Sequence, residues 1–523
     1  MSHTIFYLII LVFHCYFVNS ANILGLFPHP GKSHHMVFEP FLKKLASRGH
    51  NVTVASFYPA KDPPPNYHDI SFEGIAELRL ESYDLGNMEN ESFLFKIPRF
   101  GRMAKRLFEY NMFKKDALNI CARLLNHRPL LDALEGNYDA VIIENFTSDC
   151  MFGLLHVYKV NVPIIAVVSS IYMSWTFERV GCNDNTAYVP AVTTPFGTKM
   201  SFLDRVENTI FNIITKEWYY YESQMKEKSL IERKYGEIPD LRELAKNTSL
   251  MLTNSYHTFT GVKPLVPGLI EVGGMHLNSE KKSLPQFLGK FLNESNHGVI
   301  LFSFGSHIKT KSIPKYKEEI FIKALSKLKQ RVIWKFEDSG EEGTLIGNIL
   351  KVKWLPQYDL LRHDKVVAFI SHGGLLGLTE AVSVGKPIIV VPFFGDQPTN
   401  AAAVVEAGIG VAVSYDDISE DSFGVALQSV LSEEMRARAR LVSCMWHDRP
   451  LAPLAAAVFW TEHVARWPAA LHSRARDLPG YQLALLDVYA FLLLVLLTGG
   501  ALLFYIVVKI VSLFSNSRKE KMH

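Results

Sequence analysis

Apolar runs and amphipathic stretches alternate along most of this chain, most clearly between Val366 and Asn400. Val366 to Ile370 is an uninterrupted, β-branched run of the length expected for a buried strand. It stops at Ser371-His372-Gly373-Gly374, and a helical pattern follows to about Val384. Pro387 opens a second apolar run, Ile388 to Val391, which ends at Phe393-Phe394-Gly395-Asp396-Gln397. Strand, glycine turn, helix and strand make one βαβ unit. Its polar side chains gather at the carboxyl ends of the strands, where open parallel sheets bind ligands. The two glycines let backbone amides approach an anion at the positive end of the following helix.

The same alternation runs through the rest of the chain. Asn22 to Leu26 reads as a strand, closed by a Pro/His/Gly-rich loop that places Ser33 and His34 at a strand-to-helix turn. Val37, Phe38, Phe41, Leu42 and Leu45 follow at helical spacing, and Val52 to Phe57 predicts the next strand. This opening resembles half of a doubly wound sheet but lacks the GxGxxG fingerprint, so it gives no support for a tightly held dinucleotide. Residues Ser92 to Leu134 read as helices, and strands are predicted at Tyr138–Ile143, Val162–Ser169, Leu250–Ser255 and Ile270–Gly274. The aromatic stretch Tyr172 to Tyr221 has no clear period. Most of it reads as core and surface loop, with some side chains available for an apolar acceptor pocket. A second α/β domain begins at Val299-Ile300-Leu301-Phe302-Ser303-Phe304-Gly305-Ser306, with further strands at Arg331–Phe336 and Leu350–Trp354. The pattern predicts two facing doubly wound domains, 21–276 and 299–440, joined by a polar linker, 277–298, and followed by C-terminal helices over 441–486.

Composition adds compartment rather than chemistry. Of 523 residues, 20% are charged and 48% hydrophobic, and the net charge is +3, so no nucleic-acid partner is indicated. Met1 to Ser20 reads as a secretory signal peptide. Val488 to Val508 is a run of 21 uncharged residues followed by Lys509, Arg518, Lys519 and Lys521. That is long enough to span a bilayer, giving a transmembrane helix over 487–509 and a cytosolic basic tail over 510–523. Cys121, Cys150, Cys182 and Cys444 are too scattered for a dense disulfide framework, and no metal-ligand spacing appears. Sequons at Asn51, Asn90, Asn145, Asn247 and Asn293 fit a secreted body, although Asn145 lies close to a candidate site.

Three features converge between Trp354 and Gln397. The Ser371–Gly374 turn offers amides and an imidazole to a diphosphate, although such a turn alone is often only structural. Trp354-Leu355-Pro356-Gln357 offers an indole face for a flat base. Asp396-Gln397 after a strand end offers acceptors and donors to sugar hydroxyls, or a helix N-cap.

WLPQ, FISHGGLLGLTEAVSVGKP and PFFGDQPTNA closely resemble the signature region of the membrane-bound UDP-glycosyltransferase family. ILFSFGS, His447-Asp448-Arg449-Pro450 and Ala457-Val458-Phe459-Trp460 extend the likeness, and SHH and NFTSDC resemble its insect branch. The resemblance implies a GT-B fold, with the acceptor in the first domain and the UDP-sugar mainly in the second. It implies UDP contacts from Gly305, Ser306, Trp354, Gln357, Ser371, His372, Gly373, Gly374, Gly377 and Glu380, the last through ribose, and sugar contacts from Asp396 and Gln397. Leu376 stands where relatives often carry a polar residue. His34 matches the family's catalytic base, to be oriented by a carboxylate. Asp149, preferred by residue type, and Glu144, at the strand end, are the candidates.

An Arg after the strand near Leu252 marks glucuronate-using relatives, whereas Thr253 stands here, so UDP-glucose is the expected donor. No Asp-x-Asp pair occurs, so no metal or other cofactor is expected. The expected enzyme transfers a hexose, with inversion, to a small lipophilic hydroxyl compound, as in detoxification. It would do so from a single-pass endoplasmic reticulum anchor with a lumenal body. Homo-oligomerisation stays open. The rival readings are a non-catalytic membrane-tethered binder of lipophilic ligands and a narrow-specificity sterol or lipid glycosyltransferase.

Overall fold

The computed structural model describes residues 20–78, 82–90, 93–277 and 280–520. The expected signal peptide lies outside them except for Ser20. The chain forms two units, Met1–His472 and Ser473–His523.

Among its described residues the first unit holds sixteen strands. Those of its N-terminal half are β1 (Asn22–Phe27), β2 (Asn51–Ser56), β3 (Tyr67–Ser71), the two-residue β4 (Tyr83–Asp84), β5 (Ala140–Glu144), β6 (Ile164–Val168), β7 (Thr248–Thr253) and β8 (Leu269–Glu271). Those of its C-terminal half are β9 (Val299–Ser303), β10 (Ile308–Lys309), β11 (Arg331–Lys335), β12 (Thr344–Ile346), β13 (Ile349–Val352), β14 (Val366–Ser371), β15 (Ile388–Val390) and β16 (Gly410–Ala412). Two seven-stranded sheets result, ordered β3-β2-β1-β5-β6-β7-β8 and β12-β13-β11-β9-β14-β15-β16. Every pairing is parallel except β12 with β13.

Parallel strands covered by helices on both faces read as continuous apolar runs, and β5, β6 and β9 are buried throughout. The strand order reverses between β1 and β5 in one sheet and between β9 and β14 in the other. Each reversal opens a crevice at the carboxyl ends of its strands.

Helix α1 (Lys32–Ser47) follows β1 and buries Val37, Phe38, Phe41, Leu42 and Leu45. Helix α2 (Phe100–Leu124) is joined to α3 (Cys150–Val157) by a Cys121–Cys150 disulfide. The expected linker 277–298 carries a helix, α4 (Gln286–Asn293). Leu288, Phe291 and Leu292 fall on one helical face inside this polar stretch and join the core, each burial worth ~1.5–3 kcal/mol. Helices α5 (Leu375–Ser383) and α6 (Gln397–Glu406) follow β14 and β15, as the βαβ pattern predicts.

Each half lends a segment to the other. β4 pairs with β10, the Leu85 amide donates to Ser312 Oγ at 2.8 Å, and Leu85 and Met88 pack into the second sheet's core with Phe302 and Phe321. In return, helix α7 (Pro453–Arg466) packs Ala456, Ala457 and Val464 into the first sheet's core with Phe38 and Leu42. Arg48 Nε at 2.6 Å and His50 Nε2 at 3.1 Å hold its Glu462.

In the second unit, helix α8 (Leu486–Glu520) contains an apolar span, Leu486–Phe514, with mean hydropathy 2.7 and none of its surface buried in protein. Among the described residues it is the one helix long and apolar enough to cross a membrane. The helix runs on through the expected tail to Glu520.

Candidate active site

At the first crevice, His34 stands in the opening turn of α1 and Glu144 ends β5. His34 Nδ1 lies 2.6 Å from Glu144 Oε1 and 2.8 Å from Ser169 Oγ, just beyond β6. An Nδ1–H shared between these two oxygens leaves Nε2 as the lone-pair nitrogen. The His34 side chain keeps 17% of its surface open while Glu144 keeps 2%, so the ring is reachable and the carboxylate is not. Burial pushes His34 down to about 3, with His307 adding in the same direction. Burial pushes Glu144 up to about 7, against the pull of His29, whose backbone N–H bonds the carboxylate. The His29 ring lies tilted against His34 with centroids 4.2 Å apart, and Phe146 sits edge-on at 4.6 Å.

Asp149, preferred from the sequence, does not meet His34. It is fully buried, and its Oδ2 accepts from Arg179 Nη2 at 2.8 Å and Gln224 Nε2 at 2.7 Å. A carboxylate so placed answers a buried guanidinium, and the carboxylate in contact with His34 is Glu144. Asn145 is also fully buried and is out of reach of a glycan in the folded chain.

At the second crevice, Ser303 and Ser371 pair across β9 and β14. Each hydroxyl accepts from the glycine amide two residues on, Gly305 and Gly373, both at 3.2 Å. Gly305 (φ +78°) and Gly373 (φ +90°) sit in the left-handed region. A Cβ at Gly305 would come 2.6 Å from His372 Cε1, and one at Gly374 would come 2.5 Å from Nε2. The two glycines thus clasp the imidazole. Its buried Nδ1 has no hydrogen-bond partner among the described residues, and burial, His307 and Lys335 together push it down to about 3. The first amides of α5 have no side-chain cap, which leaves donors for an anion. Ser306 is exposed beside this turn.

Trp354 is 67% exposed, so it is no core residue. Gln357 Nε2 donates to Glu380 Oε2 at 2.6 Å, and a Cβ at Gly377 would come 3.1 Å from that amide nitrogen. Burial raises Glu380 to about 7. Leu376 and Leu454 pack against the apolar cluster containing Met275.

Asp396 stands at the N-cap position of α6 without capping it, and burial raises it to about 6. Asn400 Nδ2 donates to Asp396 Oδ2 and to the Gly373 carbonyl, both at 2.9 Å, tying the Asp396 loop to the glycine turn. Gln397 Oε1 accepts from the amides of Phe393 and Phe394 at 2.8 and 3.2 Å and so shapes the same loop. Carboxyl groups raised by burial at both crevices are typical of sites awaiting polar ligands.

Sequence reasoning missed Ser169, His29, His307, Lys335 and Asn400. The Lys335 ammonium ends β11 and donates to the Gly305 carbonyl at 2.7 Å, a position marked in sequence only by a polar residue closing an apolar run. A cleft opens beside His29 and Glu144 and is lined by Phe113, Ala117, Ile120 and Phe146. Phe113, Ala117 and Ile120 come from α2, and a second pocket is lined by Tyr172, Phe177, Val189 and Ala191 of the aromatic stretch. Of that stretch, Trp175 and Tyr219 stack 3.9 Å apart in the core.

Comparison with known proteins places this geometry. The family described as UDP-glucoronosyl and UDP-glucosyl transferase matches residues 26–521. The chain is 37% identical over 496 residues to UDP-glycosyltransferase UGT5 of Dactylopius coccus, covering 93% of this chain and 91% of that one. It is 30% identical over 506 residues to human UDP-glucuronosyltransferase 1A8, covering 94% and 92%. Among solved structures, the calicheamicin glycosyltransferase CalG4 is similar with TM-score 0.54 at 15% identity, over 86% of this chain and 99% of that one. The glycosyltransferase VinC, solved with DTDP, is similar with TM-score 0.51 at 18% identity, over 85% and 100%. These two are similar in fold, which is GT-B. With relatives alike across nearly their whole length, the chain belongs to the UDP-glucoronosyl and UDP-glucosyl transferase family and is a UDP-glycosyltransferase that takes a UDP-sugar donor.

Proposed function

We propose that this enzyme transfers glucose, in preference to glucuronate, from its UDP-sugar to the hydroxyl of a small lipophilic acceptor, with inversion. The observation that carries this reading is the His34–Glu144 pair, 2.6 Å apart beside an apolar cleft. The acceptor hydroxyl gives its proton to His34 Nε2 as its oxygen bonds the anomeric carbon, and the bond from that carbon to the β-phosphate oxygen breaks on the opposite face. Glu144 holds the ring and stabilises the imidazolium, while UDP leaves with the electron pair. His372 and the uncapped amides of α5 receive the diphosphate charge, Trp354 stacks the uracil, Glu380 takes the ribose, and Asp396 with Gln397 takes the hexose. This inventory of donors supports a metal-independent reaction. Thr253, its hydroxyl bound to Ser255 Oγ at 2.9 Å, supplies no cation for a sugar carboxylate, which supports glucose. The span in α8 supports a membrane-anchored enzyme, with its body in the endoplasmic reticulum lumen and a role in conjugating lipophilic compounds.

The test is turnover by the full chain in detergent, with UDP-glucose or UDP-glucuronate and a panel of phenols, flavonoids and steroids, with and without EDTA. A β-glucoside formed from the α-linked donor, faster than any glucuronide and undiminished by EDTA, is the expected result. An α-linked product, faster glucuronidation, or loss restored by Mn²⁺ would each overturn the corresponding part.

A further inference from the structure

The helix Phe202–Trp218, inside the aromatic stretch, is amphipathic the wrong way round. Its buried face carries Glu207, Asn208, Asn212 and Thr215 around Phe211. Each of those polar groups is satisfied within the fold. Glu207 accepts from Arg99 and Arg102, and Asn208 accepts from the Ala191 amide and donates to the Thr186 and Val189 carbonyls. Asn212 donates to Asp184, and Thr215 to Ser174. The outward face carries Phe202, Leu203, Val206, Ile210 and Ile213 at helical spacing, with Phe202 69% and Ile213 57% exposed. A helix at a water-facing surface turns its apolar stripe inward. This one turns it out.

The neighbouring α2 does the same in part. Arg102 Nη2 lies 2.9 Å from Glu207 Oε2, and Tyr110 packs on Phe211, so the two helices run side by side. From α2, Phe100, Phe108 and Met112 are exposed. Apolar side chains exposed singly are ordinary, but eight on two adjoining helices mark a surface that something covers. Two observations favour lipid. The same chain carries the apolar span Leu486–Phe514, which tethers the body to a bilayer and makes that surface the one it meets at highest effective concentration. Residues 99–115 and 202–218 together carry eight Lys and Arg against four Asp and Glu, a balance that suits anionic headgroups.

We propose that this face docks onto an anionic lipid surface, with the stripe Phe202–Ile213 lying at the boundary between headgroups and acyl chains. Met112 is followed by Phe113, which lines the acceptor cleft, so the docked face adjoins the cleft wall. Supply of a lipophilic acceptor from the membrane rests on the reaction proposed above; the docking does not.

The experiment uses the full chain in single-copy nanodiscs of phosphatidylcholine and phosphatidylserine, with acyl chains brominated or not. Ile213→Cys in a Cys444→Ser background takes an environment-sensitive fluorophore, since the remaining free cysteine, Cys182, is buried. Val425→Cys, at an exposed position of the helix Glu420–Val430, is the control. The expected result is quenching by brominated lipid of about twofold or more at Ile213 and none at Val425, because an interfacial helix lies ~5–10 Å into the headgroup boundary. Leu203→Asp with Ile210→Asp, shown to be folded by its thermal unfolding midpoint, should abolish that quenching. Equal fluorescence at Ile213 in brominated and unbrominated discs would overturn the proposal whether or not the double variant folds, and so would quenching that survives the two aspartates. Disulfide dimers through Ile213→Cys in detergent, with no quenching in discs, would give the face to a second copy and overturn lipid docking. No substrate is present in these measurements, so failure of the proposed reaction leaves their outcome standing.

Discussion

After β1 and again after β14, the chain leaves a buried strand, passes a glycine N-cap with no side-chain cap, and enters a helix with a histidine beside the turn. In the first half His34 meets a buried carboxylate and a serine hydroxyl; in the second His372 lies between two glycines with its Nδ1 unpartnered among the described residues. One turn binds its imidazole from within the protein, and the other leaves it for a ligand. A paired ring is held in one tautomer and can be stabilised when it gains a proton. An unpaired, dehydrated ring with helix amides beside it is a receptor for charge that arrives from outside. On the reading proposed above, the same backbone device serves proton transfer in one sheet and anion binding in the other.

The comparison breaks most visibly at His34. His34→Ala is expected to lower kcat by about 10²–10⁴-fold while calorimetry still detects UDP-sugar binding, because the proposed donor contacts lie in the other sheet. Turnover equal to wild type would return the protein to the class of ligand binders.

The second turn is tested through its glycine rather than its ring. Gly373→Ala places a Cβ 2.8 Å from Val390 Cγ1 and 3.2 Å from the Gln397 carbonyl, in a left-handed backbone. It should lower stability by ~1–3 kcal/mol in denaturant titrations and weaken UDP binding, with the acceptor cleft unaffected. A variant with unchanged UDP affinity would separate the turn from the nucleotide.

The smallest effect is in pH. Glu144, raised to about 7, is protonated below that value and loses the charge that supports an imidazolium, so the rate should fall as pH drops through 7 and level off above it. A fall of about tenfold by pH 6 is expected. His34, held near 3, stays neutral across this range and adds no limb of its own. A profile flat from pH 5.5 to 8 would remove Glu144 from the reaction.

The second turn was legible in sequence because its chemistry is local: strand, Ser371–Gly374, helix and the Asp396 loop lie within one βαβ unit. The first was half legible. His34 lies on such a turn, but its carboxylate is chosen by the parallel register that sets the end of β5 beside β1, and by distant residues. Arg179 and Gln224, which draw Asp149 away, stand 30 and 75 residues further along the chain, and nothing local announces them. The central strands were readable because both faces are buried. The edge strand β3, Tyr-His-Asp-Ile-Ser, was not, since exposure at the sheet's margin permits polar residues. The Cys121–Cys150 bridge and the buried face of α4 were hidden for the same reason: each depends on a partner the local pattern does not contain.

The exchanged segments, 83–88 and 453–466, bear on how such enzymes can be recombined. A hybrid made by joining one relative's first half to another's second at residues 277–298 would carry Leu85 and Met88 into a foreign core and receive a foreign Ala456, Ala457 and Val464 in return. The halves behave less like interchangeable modules than like two castings keyed to each other. A working graft therefore needs three matched seams, at the linker, the strap and the returning helix, where a reading of the sequence alone would have cut one.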